Sequence, residues 1–311
     1  GQARSLTNLL DKVLVEGYGT TVPAGWAVAF TATDKRAYRA AAGVRAYLRV
    51  NDDAASGAQY ADVRGYATMS DVDTGTEPFP TSAQSSTWVA TKSSAASSAS
   101  RPWVAFADDR FIWLFATVSG SAWPKLVRGF GDIVSLKPSD NFGAVIAADR
   151  TRATSPGASH NRFGALDGAG TQFYLLRAAD EVSGAALATS VPINLVNAVA
   201  PSGSVRRALG NYVDITGSTG AENYPSPVTG QASIAPILLM ERPATASAGF
   251  RGYLPGMYQP LHTVSGLNSG DIIDGGVALA GRQLQMQQFN CGLTNNQLFD
   301  ARAYIDITGG W

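Results

Sequence analysis

Charge is scarce in this sequence. Lys and Arg number 24, Asp and Glu number 24, and together they make up 15% of the 311 residues, against the roughly 25% usual in soluble domains. A neutral chain lacks the basic footprint of a polyanion binder, so no nucleic-acid partner is expected. Cysteine is nearly absent: Cys291 stands alone, which excludes an intrachain disulfide and CxxC chemistry and points to an inert buried thiol. Histidine is limited to His160 and His262. No apolar run approaches the length of a membrane helix, and no basic segment leads into an apolar one at the start, so neither a membrane span nor a signal peptide is expected. The chain opens on Gly1 without Met and almost at once enters a helical pattern.

What fills the chain instead is small and turn-forming. Ala, Gly, Ser and Thr are heavily used while Lys and Glu are rare, a surface suited to a subunit packed in a large assembly or to a secreted β-protein. "SLTNLLDKVLVEGYG" is the one clear amphipathic helix: Leu6, Leu9, Leu10, Val13 and Leu14 share a face, Ser5 is placed to cap it, and Gly17 suits a left-handed stop. After it come short alternating or β-branched segments separated by Gly, Asp, Asn, Ser and Pro, the texture of antiparallel β-structure. "VRAYLRVND" sets Val44, Ala46, Leu48 and Val50 against Arg45, Tyr47, Arg49 and Asn51, giving one dry and one wet face. "RPWVAFADDRFIWLFATVS" reads as a hairpin, Trp103–Ala107 and Phe111–Thr117, turning at Asp108, Asp109 and Arg110. The Ala/Ser-rich stretch from Thr81 to Ser100 reads as a short helix or surface loop pinned by Trp88. In "GRQLQMQQF", Gln283, Gln285 and Gln287 form a polar face, either solvated or bonded to a neighbouring subunit. The expected fold is mainly β, antiparallel sandwich or barrel-like domains with a short N-terminal α-helix. The breaker-rich stretch from Thr151 to Gly170 suggests two domains, 1–155 and 156–311.

The motifs of catalysis are missing. No GxSxG, GxxxxGK[ST], HExxH or paired-histidine spacing occurs in the sequence, which leaves no catalytic residue, metal ligand or cofactor-binding residue to nominate. Asp108 and Asp109 are adjacent carboxylates, but neighbours on a turn point apart and read as turn chemistry. "DVDTGTEPF" superficially resembles a calcium loop, yet its glycine comes early and Ser82 stands where Glu is needed, so a plain turn is expected. "FRGYLPGMYQPLH" packs two glycines, two prolines and three aromatic rings around His262. It reads as a stiff, irregular docking loop, with Tyr253, Met257, Tyr258 and Leu261 as contact residues and His262 as a satisfied structural histidine.

Together, "SLTNLLDKVLVEGYG", "AGWAVAF", "RAYLRV", "VRGYATMSDVDTG", "VRGFGDIVSLKPSDNF", "FRGYLPGMYQPLH" and "YIDITGGW" resemble a family of uncharacterised tailed-bacteriophage virion structural proteins encoded among head and tail genes. The resemblance implies a non-enzymatic subunit of the virion, made in the host cytoplasm and repeated by the particle's symmetry. Its partners would be copies of itself and other virion proteins, and it would use no cofactor. A tail or tail-tip/baseplate component is the first reading, a capsid decoration or cement protein the second, and a glycan-binding adsorption module the third.

Overall fold

A computed structural model describes residues 3–54, 60–81, 89–92, 98–117, 126–147, 173–179, 191–199, 205–207, 224–241, 249–262, 266–294 and 297–311. The fold is mainly β and antiparallel throughout, opening on one short helix. Its first sheet is six-stranded: β1 (Ala27–Ala32), β2 (Lys35–Arg39), β3 (Tyr47–Ala54), β4 (Tyr60–Met69) and β5 (Gly75–Phe79) run in sequence order, and β6 (Val89–Thr91) shares the far edge of β4 with β5. The second sheet is thirteen-stranded. It is built from β7 (Trp103–Ala107), β8 (Phe111–Ala116), β9 (Leu126–Asp132), β10 (Val134–Ser135), β11 (Ala144–Ala147), β12 (Phe173–Leu175), β13 (Val191–Val199), β14 (Val205–Arg207), β15 (Ile234–Glu241), β16 (Gly249–Pro260), β17 (Ile272–Asp274), β18 (Gln283–Thr294) and β19 (Gln297–Asp306). Its order is β17-β18-β19-β16-β15-β13-β12-β11-β9-β8-β7.

The two sheets face each other across one core. Tyr38, Leu48, Val50, Val63 and Phe79 from the first meet Ile112, Leu114, Phe130, Ile146 and Tyr174 from the second, with Leu6, Leu10 and Leu14 of the N-terminal segment closing one side. Phe79 stacks on Phe130 at 5.8 Å between centroids. Residues on the opposite face of the second sheet form another core. Phe111, Trp113, Phe115, Val145 and Leu175 from one arm pack with Leu239, Leu254, Met257, Ala303 and Ile305 from the other. One face can meet itself only if the sheet curls, as its twist allows. The Trp113 indole donates across the curl to the Pro255 carbonyl at 2.8 Å, and β10, which continues β9 after Ile133, pairs with Tyr253 and Gly252 of β16. The arrangement is sandwich-like, with no closed barrel among the described residues.

The hairpin forms as its sequence predicts: Asp108 Oδ1 accepts the Arg110 and Phe111 amides, both at 2.8 Å, in an Asx turn. The alternation running from Ala46 into β3 holds too, with Ala46, Leu48 and Val50 buried, although Tyr47 is also covered, by Ala37 and Met69 on the other face. The helix differs. Only Ser5–Leu10 (α1) is α-helical, and Asp11–Glu16 continues as a π-helical turn closed by Gly17 N–H on the Lys12 carbonyl at 2.8 Å. Gly17 has the expected positive φ, 94°, but Ser5 does not cap. The Asp52 carboxylate of β3 accepts the Leu6 and Thr7 amides at 2.7 and 2.9 Å instead. Within the Ala/Ser-rich stretch, Val89–Thr91 is a strand rather than a helix or loop, while Trp88 lies outside the described residues. The expected boundary at 155 also lies outside them, and the strands on either side, β11 and β12, are paired in one sheet.

Candidate functional site

The segment read as a docking loop is strand β16, sandwiched between β15 and β19. Two of its breakers, Pro255 and Gly256, sit in a bulge, while Gly252 and Pro260 stay in the β15 ladder. Register runs Pro236↔Tyr258 and then Leu238↔Tyr253, so the residues from Leu254 to Met257 bow out of the β15 ladder, where Pro255 needs no amide and Gly256 adopts φ 63°. Met257 is wholly buried in its own chain's core, and Tyr258 packs on the small cluster of Ile273, Leu284, Met286 and Tyr304. Tyr253 and Leu261 are half-buried. His262 is buried, with Nε2 3.1 Å from the Tyr304 hydroxyl and its ring 5.0 Å from that of Tyr224, which matches the structural reading. His160 falls outside the described residues. Gln287 turns inward rather than toward solvent and donates to Gln285 at 3.1 Å.

The bulge instead builds one wall of a polar cleft of about 440 Å³. The tip of the β7–β8 hairpin, the end of β9, β10, the loop to β11, Gly43 and Val44 ahead of β3, and Trp311 supply the rest. Three carboxylates converge here, and each is tied inside the chain. Asp108 Oδ2 accepts the Trp311 amide at 3.2 Å. Asp140 holds Arg251 through two bonds, Nε–Oδ2 at 2.8 Å and Nη2–Oδ1 at 2.6 Å, and accepts the Ser135 hydroxyl at 2.6 Å. Burial pushes the Asp140 carboxyl up, but Arg251, Ser135 and the Phe142 amide outweigh it and hold the group below the ordinary carboxylate range. Asp132 has less support. Its Oδ2 accepts the Val44 amide at 2.7 Å and presses on Gly43, where any Cβ would collide with it. Burial pushes Asp132 up to about 6, with Asp140 and Asp108 adding to the rise and Arg110 opposing it.

Electrostatic ties of the same kind recur elsewhere. Lys92 donates to Asp52 Oδ1 at 2.5 Å in a fully buried pair, and Arg177 pairs with Glu77. In the supposed calcium loop, Asp71 accepts the Asp73 and Thr74 amides while Asp73 pairs with Lys35 and Arg49, as expected of a turn. Among the described residues no cluster of three or more His, Cys, Asp or Glu is arranged to hold a metal ion, and no helix is long and apolar enough to cross a membrane. No protein-family model matches the chain, and no curated protein matches it either.

β7 ends the second sheet, and no described strand pairs its outer side. All of its residues, "WVAFA", are apolar and half-buried. Val104 and Phe106 lie on one core, Ala105 and Ala107 on the other. Beside it, Trp103 meets the exposed Tyr18 ring edge-on at 5.2 Å. At the opposite end, Val228 and Val277 are 88% and 82% exposed on turns bridged by Gln231.

Proposed function

We propose that this chain is a non-enzymatic structural subunit of a bacteriophage virion, a tail or tail-tip/baseplate component assembled through β-rich interfaces. The observation that carries this reading is the β7 edge. Unpaired among the described residues, uncharged and wholly apolar, this edge strand is a template for another chain, and charge, proline or a bulge within the strand are common guards of such an edge in a protein that acts alone. None of the three interrupts Trp103–Ala107. The ionic groups are consistent with a scaffold, since the cleft carboxylates and buried bases are spent on ties between elements. The resemblance to virion structural proteins supplies the particle.

Quantitative mass spectrometry and gel densitometry of purified virions from the phage encoding the chain test the assignment. A low, fixed copy number per particle is expected for a tail part. A copy number matching the capsid lattice would move the subunit to the head as a decoration protein. Absence from intact virions would overturn the proposal.

A further inference from the structure

We propose that β7 pairs antiparallel with β7 of a second copy of this chain, about a two-fold axis through Ala105. The inference rests on the structural-subunit reading and names the partner of its open edge. Hydrogen bonds at both ends of the hairpin fix which way each residue of β7 faces. Asp108 N–H donates to the Phe111 carbonyl and Thr117 N–H to the Pro102 carbonyl, each at 3.0 Å. Bonded pairs in an antiparallel ladder alternate, so Val104 and Phe106 also bond β8. Trp103, Ala105 and Ala107 therefore turn their N–H and C=O groups outward. A two-fold axis at Ala105 sets Trp103 opposite Ala107 and Ala105 opposite itself, so every outward group meets an outward group.

Charge selects the direction and the register. The strand itself is neutral, but Arg101 precedes it and Asp109 follows it in the turn, one charge at each end. The axis at Ala105 places Arg101 of each copy opposite Asp109 of the other, two opposite-charge pairs per dimer. Parallel pairing in register would set Arg101 on Arg101 and Asp109 on Asp109, an unfavourable juxtaposition. Asp109 has capacity to spare. The Asp109 side chain is 55% exposed, its contact with Arg110 a loose 3.9 Å, while its carbonyl is anchored by the Ala41 and Ala42 amides at 3.0 and 3.1 Å. The pairing is isologous, so it closes at two copies and leaves the β17 edge for other neighbours.

Sedimentation and light scattering of the full chain, with far-UV circular dichroism as the folding check, test the pairing. The wild type is expected to dimerise. Ala105→Pro removes a donor that β8 does not use, and it is expected to give a folded monomer. Arg101→Asp and Asp109→Arg, each alone, are expected to weaken self-association about tenfold or more. Mixing these two variants should restore a dimer, because each then meets its opposite charge at both sites. The double variant in one chain should do the same. Self-association of wild-type strength in Arg101→Asp, or failure of the mixture to recover it, would overturn the pairing and place the contact elsewhere, with the virion assignment still standing. A wild type that stays monomeric up to its solubility limit would also overturn it. The copy-number measurement on virions fails or succeeds independently of all these outcomes.

Discussion

Asp132 is a carboxylate held at the seam between the sheets by one amide, Val44, and raised by burial to about 6. The sign of its effect follows. Its folded value lies above the ordinary 3.8, so the folded state binds its proton more tightly, and its contribution is fully present below the ordinary value and lost as pH rises through about 6. Asp140 has the opposite sign: held low by Arg251 and Ser135, it contributes above the ordinary carboxylate range and loses that contribution on acidification. Asp132→Asn keeps an acceptor for Val44 and removes the titration. The variant should be more stable than wild type by up to about 3 kcal/mol near pH 7 and close to it near pH 4, a difference that thermal unfolding across pH will read. Arg251→Ala leaves Asp140 buried without its cation, at a cost of about 3–5 kcal/mol in denaturant unfolding.

At the scale of elements, α1 depends on a residue far from it in sequence. Asp52 caps the helix, and Lys92 neutralises Asp52. Burial raises the Asp52 carboxyl, while Lys92 and the Thr7 and Leu6 amides oppose that rise. Asp52→Ala should therefore cost about 3–5 kcal/mol and detach the N-terminal segment, seen as faster amide hydrogen exchange at Leu6 and Thr7. The signal for this tie was present in the chain. The alternation that buries Ala46, Leu48 and Val50 carries on to position 52, so a carboxylate on the dry face demanded a buried partner. Strand rhythm and turn chemistry made β3 and the β7–β8 hairpin legible, because both are local properties. β16 was misread because Pro255 and Gly256 break a strand unless it bulges, and that bulge is shaped by Trp113 and Trp311 from distant parts of the chain. The cleft was illegible for the same reason: Asp132, Asp140 and Arg251 acquire meaning only from partners such as Val44 and each other. Nothing in α1 favours the π-helical turn over continued α-helix that we can name.

At the scale of the molecule, the second sheet carries strands from before and after residue 155, and its inner core draws on both: Trp113 and Val145 from one side, Leu239, Met257 and Ile305 from the other. A fragment ending at 155 keeps β7, β8, β9 and β11 but loses the strand beside β11 and half of that core. It should fail to fold alone, and circular dichroism with size-exclusion chromatography will show an unfolded or aggregated species. A cooperatively folded fragment would instead mark the first half as autonomous. The two-residue ladder between β10 and β16, Val134 on Tyr253 and Ser135 on Gly252, gives this continuity a direction in time. During synthesis the ribosome delivers Val134 long before Tyr253, so the clasp closes only after most of the chain has emerged. Closing so long a loop costs entropy that local contacts cannot offset in advance. Until then the apolar β8 and β11 stand without their second covering, and the rate at which β16 arrives governs how long a newborn chain is vulnerable to its neighbours.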